Sequence, residues 1–145
     1  MIGLLQRVSE ARVSVLGRPV GAIDEGLLVM IGVERADSEA RASRLLDRLL
    51  GYRVFADPEG RMNISLAKMG GGLLLIPQFT LAANTQKGTR PGFSQAESPK
   101  RGEQLFTYLC EQAEQRHPRV ARGIFGAHMQ VHLINDGPVT FWLQV

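Results

Sequence analysis

The chain has one cysteine, Cys110, among its 145 residues, so no internal disulfide can staple it, and this usage fits a reducing compartment. Long hydrophobic runs are missing too. Leu27 to Val33 and Leu73 to Pro77 are far shorter than the roughly 20 apolar residues that carry a helix across a bilayer. Nor does Met1-Ile2-Gly3-Leu4-Leu5-Gln6-Arg7 show the basic start, sustained apolar stretch and small-residue cleavage site of a secretory signal. The expected setting is cytoplasmic, without membrane association. Charge of neither sign dominates. A net charge of +3 and a pI near 9.5 permit a polyanionic partner without demanding one.

Disorder and fibrous repeats are excluded by a composition of 44% hydrophobic and 21% charged residues. A chain of 145 residues can bury a core without metal or disulfide, and it contains no repeat, linker or low-complexity stretch. One domain spanning residues 1–145 is expected.

The usual hydrolytic signatures are absent. There is no Gly-x-Ser-x-Gly elbow and no Walker-type phosphate loop, and Gly70-Gly71-Gly72 leads into a strand instead of opening a helix. His128 and His132 are four apart, but the flanking alternation reads as strand, and no glutamate or third ligand completes a zinc-protease pattern. No metal and no cofactor is expected. Cys110 lies beside Leu109 in a predicted helix, where a packing role is commoner than a nucleophilic one.

What is present is mostly strand. Leu4, Gln6 and Val8 share one face, Ala11, Val13 and Val15 repeat the period of two, and Gly17-Arg18 turns the chain into a return strand, Pro19 to Ile23. After the turn Asp24-Glu25-Gly26, Leu27 to Val33 is apolar on both faces, as in a central buried strand. Asp37 or Ser38 can cap a helix carrying Ala42, Leu45, Leu46, Leu49 and Leu50 at helical spacing, with Gly51 at its stop. Tyr52 to Phe55 returns to strand, Asp57-Pro58-Glu59-Gly60 turns, and Leu73 to Leu81 forms the next strand.

Ala82 to Ser98 is a long, polar, breaker-rich segment of the kind that lines binding sites. Ser98 and Pro99 start a second helix with Leu105, Tyr108, Leu109 and Gln112 along one side, ending by His117-Pro118. Met129, Val131 and Leu133 then alternate with Gln130, His132 and Ile134. Beyond Asn135-Asp136-Gly137-Pro138, Val139, Phe141, Leu143 and Val145 alternate with Thr140, Trp142 and Gln144. Seven to nine strands with two main helices predict an α+β domain: mainly antiparallel sheets in a layered β/β/α, barrel-like arrangement.

Two segments carry candidate chemistry. In Pro77-Gln78-Phe79-Thr80-Leu81 a buried strand acquires an amide and a hydroxyl. Strand-end polar residues are commonplace, and Thr80 would be a nucleophile only with a base beside it. Asn135-Asp136-Gly137-Pro138 reads from composition as a hairpin turn, although a Gly-Pro step can also be cis and present two carbonyls together.

With both segments in hand, the sequence resembles the bacterial D-aminoacyl-tRNA deacylase family over essentially its whole length. The resemblance runs through Leu5-Gln6-Arg7-Val8, Gly26-Leu27-Leu28-Val29, Gly60-Arg61-Met62-Asn63, Gln78 to Leu81, Lys87 to Pro91, Phe125-Gly126-Ala127 and Asn135 to Thr140. It implies hydrolysis of the ester joining a D-amino acid to the terminal adenosine of tRNA, with glycyl-tRNA also accepted. It further implies a homodimer in which Gly137-Pro138 of one subunit enters the other's pocket, its carbonyls facing the substrate ammonium. Gln78, Phe79 and Thr80 would then do the catalytic work. Arg7 would orient the loop, Phe125 and Met129 would seat the adenine, and Lys87 and Arg90 would meet the tRNA backbone.

Three positions depart from the family pattern, which usually has Ser at 77, Asp at 128 and Ser at 92, where this chain has Pro77, His128 and Gly92. Pro77 removes a backbone donor and a hydroxyl next to Gln78. Two alternatives follow: a non-catalytic domain that binds the tRNA end through Lys87, Arg90, Lys100 and Arg101, or a metal-dependent hydrolase using His128 and His132.

Overall fold

A computed structural model describes all residues, 1–145. Its organising strand is β1 (Ile2–Val15). One edge of β1 is divided, pairing antiparallel with β3 (Gly26–Gly32) through residues 2–8 and with β2 (Arg18–Ile23) through residues 11–15. Its other edge pairs antiparallel with β8 (Met129–Gln144) along the full length. Because β1 passes from one layer to the next, the sheet curls. The order β2-β1-β3-β6-β7 brings its ends together, and a Cβ at Gly21 of β2 would lie 3.0 Å from the Arg122 carbonyl of β7. The result is a nearly closed, barrel-like sheet.

β3 is central for the reason its sequence suggests: apolar residues on both faces have two cores to fill. Its odd-numbered residues Leu27, Val29 and Ile31 join Met1, Leu5, Leu73 and Leu75 beneath the helices. Leu28 joins Val8, Ala11, Val13, Leu74 and Ile76 inside the barrel. Leu4, Gln6 and Val8 share the barrel-side face as expected, but Val8 and Val13 differ in parity. The register irregularity between Val8 and Glu10 restores them to one face.

α1 (Glu39–Gly51) starts at Ser38, whose hydroxyl accepts from the Arg41 N–H, and buries the five predicted residues Ala42, Leu45, Leu46, Leu49 and Leu50. α2 (Leu66–Met69) is a single turn following the β4–β5 hairpin (Arg53–Ala56 and Met62–Ser65). β5 and α2 are too short to leave a periodic signal. α3 (Pro99–Arg116) buries Leu105, Phe106, Leu109, Cys110 and Ala113. Tyr108 and Gln112, expected on that stripe, lie at its margin, and the Tyr108 hydroxyl meets Ser43 Oγ of α1 at 3.1 Å.

Two strand pairs depart from the mainly antiparallel pattern. β6 (Gly72–Pro77) runs parallel to β3, and β7 (Val120–Arg122) parallel to β6. Both connections contain a helix, as parallel neighbours require. Gly26 and Gly72 begin the first pair at such close approach that a Cβ on Gly26 would fall 2.0 Å from the Gly72 carbonyl oxygen. No helix is long and apolar enough to cross a membrane.

Two boundaries differ from the sequence-based expectation. The strand expected from Leu73 to Leu81 ends at Pro77, and Phe79–Ala82 forms a 3-10 turn. The segment expected as a hairpin turn is not one, because β8 continues past it along the same partner strand.

Candidate active site

The register of β1 with β8 explains the Gly137-Pro138 segment. Val8 pairs with Asn135 and Gln6 with Thr140, so Asp136 through Val139 bulge out opposite the single residue Arg7. Arg7 is therefore the β1 side chain beneath the loop. Its Nε donates to the Asp136 carbonyl at 3.2 Å and lies 3.0 Å from the Asp136 carboxylate, while Nη1 donates to the Val54 carbonyl at 2.6 Å. One guanidinium thus ties the loop to β4, a task its rigid fork of donors suits.

Asn135 closes the loop from within. Its amide nitrogen donates to the Val139 carbonyl at 3.2 Å, and its side-chain oxygen accepts from the Val139 N–H at 3.1 Å. The Gly137-Pro138 peptide is cis, and Gly137 has φ +128°. A Cβ there would lie 2.7 Å from Val139 Cγ2 and 2.9 Å from Arg7 Nη2, so the position admits glycine alone. Arg7 and Asp136 also line a cleft of about 330 Å³ with Glu25, Phe55, Ile64 and Lys68.

The second segment forms a different cleft. Pro77, Phe79, Glu97, Pro99, Phe125 and Gly126 surround about 260 Å³ of largely apolar space. Gln78 is fixed by its N–H, which donates to the Ile31 carbonyl at 2.7 Å, and its side-chain amide hydrogen-bonds the Thr80 hydroxyl. The N–H groups of Phe79 and Thr80 open the 3-10 turn, where no intrahelical acceptor exists and no side chain caps them. Phe125 packs at 6.3 Å from Phe106 and against Gly102 of α3. Met129, half-buried at the start of β8, reaches Gly123, whose other close neighbours are Pro77 and Ile76.

Pro77 is accommodated without breaking the ladder. Since the Gln78 N–H faces β3, the Pro77 nitrogen faces β7, where the ladder ends at Arg122 and the next bond runs from the Gly123 N–H to the Leu75 carbonyl.

The structure thus gathers Phe79, Phe125 and the Pro77 end of β6 around one cleft, and Arg7 with Asp136 of the Gly137-Pro138 loop at another. Within one chain the two signature segments line separate clefts. Lys87 and Arg90 stand exposed on the loop between Asn84 and Gly92. His132 points outward opposite Arg12, and no group of three or more His, Cys, Asp or Glu is arranged to hold a metal ion. Cys110 is fully buried in the helix-side core, and burial pushes its thiol up to about 12 despite the lowering influence of Arg122, so it stays protonated and unreactive at neutral pH.

The structure gives roles at these clefts to Asn135, Glu97 and Pro99, and packs Phe93 on Phe79, none of which sequence patterns assign to the site. For Asn135 the turn chemistry is visible in the sequence, but not that its side chain clasps its own loop. Phe93 stands in a polar stretch as an isolated aromatic, which is the available signal.

The D-Tyr-tRNA(Tyr) deacylase family profile matches residues 4–144. A D-aminoacyl-tRNA deacylase of Stutzerimonas stutzeri is 62% identical over 144 residues, 99% of each chain, and one of Dichelobacter nodosus is 58% identical over 145 residues, the whole of both. Among solved structures, the c-Myc DNA Unwinding Element Binding Protein superposes with a TM-score of 0.95 at 34% identity, over 100% of this chain and 99% of that one. A probable eukaryotic D-amino acid tRNA deacylase has the same fold, with a TM-score of 0.86 at 18% identity, over 99% and 98% of the two chains.

Proposed function

The chain belongs to the D-Tyr-tRNA(Tyr) deacylase family and is a D-aminoacyl-tRNA deacylase, and from that premise we propose how it selects its substrate: a main-chain gate at Gly137-Pro138, acting across a homodimer, admits D-aminoacyl and glycyl esters and rejects L-aminoacyl esters. The observation that carries this reading is the separation of the two signature segments. The Phe79-Phe125 cleft is largely apolar and bordered by the turn whose first N–H groups no side chain caps, whereas the Gly137-Pro138 loop is exposed and braced, and its Asp136 lines another cleft. Two copies related by a two-fold axis can each lend the loop to the other's cleft.

In this reading the terminal adenine rests against Phe125 and Met129, and the ester carbonyl faces the N–H groups of Phe79 and Thr80. Water, assisted by the ribose 2′-hydroxyl, attacks the ester carbon. Negative charge develops on the carbonyl oxygen, and the C–O bond to the ribose breaks as the departing ribose oxygen takes up a proton. An aminoacyl ester is already activated, so orientation and oxyanion stabilisation suffice, and one such donor is worth on the order of 10²–10³ in rate. Thr80, held by Gln78, is a positioning residue with no covalent role.

Chirality follows from geometry. With the ammonium held by main-chain oxygens of the partner's loop and the carbonyl in the oxyanion site, one direction remains for the side chain. A D side chain points to open space, an L side chain meets the Gly137-Pro138 wall, and glycine has nothing to clash. The cytoplasm, where aminoacyl-tRNA is made and used, is the compartment this activity needs. The deacylase activity of the family supersedes the reading as a non-catalytic domain, and an activity that survives complete chelation would exclude a metal-dependent route.

The decisive experiment follows ester loss from D-tyrosyl-, L-tyrosyl- and glycyl-tRNA with the purified protein, together with its mass in solution. The D and glycyl esters should be hydrolysed, the L ester spared, and the mass should be that of two chains. Equal rates for D and L, or a monomer of full activity, would remove the cross-subunit gate.

A further inference from the structure

Phe93 has no part in the chemistry described above, yet its position is not that of a core residue. It is 40% exposed, and its ring lies 5.1 Å from the ring of Phe79, itself 58% exposed, at an interplanar angle of 47°. Two large aromatic side chains are therefore held half in water, one of them, Phe79, lining the cleft.

What surrounds the pair has a direction. Asn84 and Gly92 bridge through hydrogen bonds of 2.7 and 3.1 Å, so the residues between them project as a finger. Lys87 and Arg90 lie on that finger, exposed, and neither takes part in an ion pair. Phe93 sits at its base, which is pinned to the end of β3 by the Arg35 N–H to the Gln95 carbonyl and the Glu97 N–H to the Val33 carbonyl, at 3.1 and 3.0 Å. Phe79 thus lines the cleft, Phe93 packs on Phe79, and the free cations stand on the finger whose base carries Phe93.

We infer that Phe79 and Phe93 form a stacking platform for the unpaired nucleotides that precede the terminal adenosine at the tRNA 3′ end, with Arg90 and Lys87 meeting the phosphates beyond. The inference rests on the aminoacyl-tRNA substrate of the proposed function. A single strand offers π-faces and phosphates at regular spacing, and proteins hold such strands by combining aromatic faces with a cationic track, whatever the base identity. A charged finger beside an apolar pair is the complement of that strand. The finger is a poor match for the same finger of a second copy, which would set Lys87 and Arg90 against Lys87 and Arg90, and the partner's loop in the proposed dimer occupies the cleft beyond Phe79 instead.

The test measures anisotropy of labelled, unacylated tRNA, intact or trimmed of its unpaired 3′ nucleotides, at fixed salt. Phe93→Ala should weaken binding of intact tRNA about tenfold, the worth of one base–aromatic stack. It should also close the gap between intact and trimmed tRNA that the unsubstituted protein shows, and Phe93→Tyr should restore that gap. In hydrolysis, the kcat/KM ratio of D-tyrosyl-tRNA to D-tyrosyl-adenosine should fall by a similar factor. Equal weakening of intact and trimmed tRNA, or an equal decrease on both esters, would overturn the platform and make Phe93 a packing support for Phe79. A Phe93→Ala protein of halved mass would overturn it in favour of an interface between copies. If the unsubstituted protein hydrolyses neither ester, the proposed function fails, and the binding arm still decides the platform.

Discussion

The Gly137-Pro138 loop, a bulge in β8, and the finger based at Phe93, a loop between the 3-10 turn and α3, are both exposed and are held in different ways. Side chains grip the loop: Arg7 reaches it from β1 and anchors it to Val54, and Asn135 clasps it at Val139. Main-chain bridges at Asn84–Gly92 and Glu34–Ala96 secure the finger, while its cations are unengaged and its one aromatic stacks against another exposed ring. A selective wall must keep its position to a fraction of an ångström, because a misplacement of about 1 Å can cost on the order of 10²-fold. A surface that holds a flexible strand needs faces and charge more than precision. The bracing of one region and the openness of the other match those two tasks.

The contrast can be broken most severely at Gly137. Its positive φ and the atoms awaiting a Cβ mean that Gly137→Ala displaces the loop from Arg7 and Val139. We expect kcat/KM for D-tyrosyl-tRNA to fall on the order of 10²-fold and the preference for D over L to narrow, measured by parallel hydrolysis of both esters. A variant with undiminished discrimination would show that the wall lies elsewhere.

Thr80→Ala tests the cleft side of the contrast. Removing the hydroxyl that Gln78 holds should slow single-turnover hydrolysis about tenfold, less than the roughly 10²–10³-fold of a lost oxyanion donor, because the proposed main-chain donors remain. A drop on the order of 10⁶-fold, as for a true nucleophile, would refute the water mechanism. The smallest effect is expected at the finger. Lys87→Ala with Arg90→Ala should lower the slope of log affinity against log salt by about 0.7 for each single-strand phosphate that is no longer neutralised, leaving the D over L preference intact. An unchanged slope would mean that these cations are merely solvated.

Much of the fold is legible in the sequence because burial writes its period into the chain. The stripe from Ala42 to Leu50, the doubly apolar β3, and the alternation of Val139, Phe141 and Leu143 all read as the elements they form. Local patterns mislead where the decisive partner is remote. The strand expected to reach Leu81 stops at Pro77 and gives way to the 3-10 turn of Phe79–Ala82; Pro77 and Gln78 mark the strand's end locally, but not the cleft beyond it. The parallel pairs β3–β6 and β6–β7 depend on helical crossovers, which leave no mark on the strands themselves.

The site divides in the same way. The residues of both signature segments and their turn chemistry are fixed by local order, and the family shows through resemblance along the whole chain. That Asp136 to Val139 form a bulge in an unbroken strand, with Arg7 as their single opposite residue, is decided by the register of β1 against β8, a pairing between segments more than a hundred residues apart. The placing of Phe93 on Phe79 likewise comes from a loop folding back on a strand end. Sequence sets what each segment can do because propensity and charge are local. Only tertiary structure sets which side chains meet, because register and loop closure depend on the whole chain.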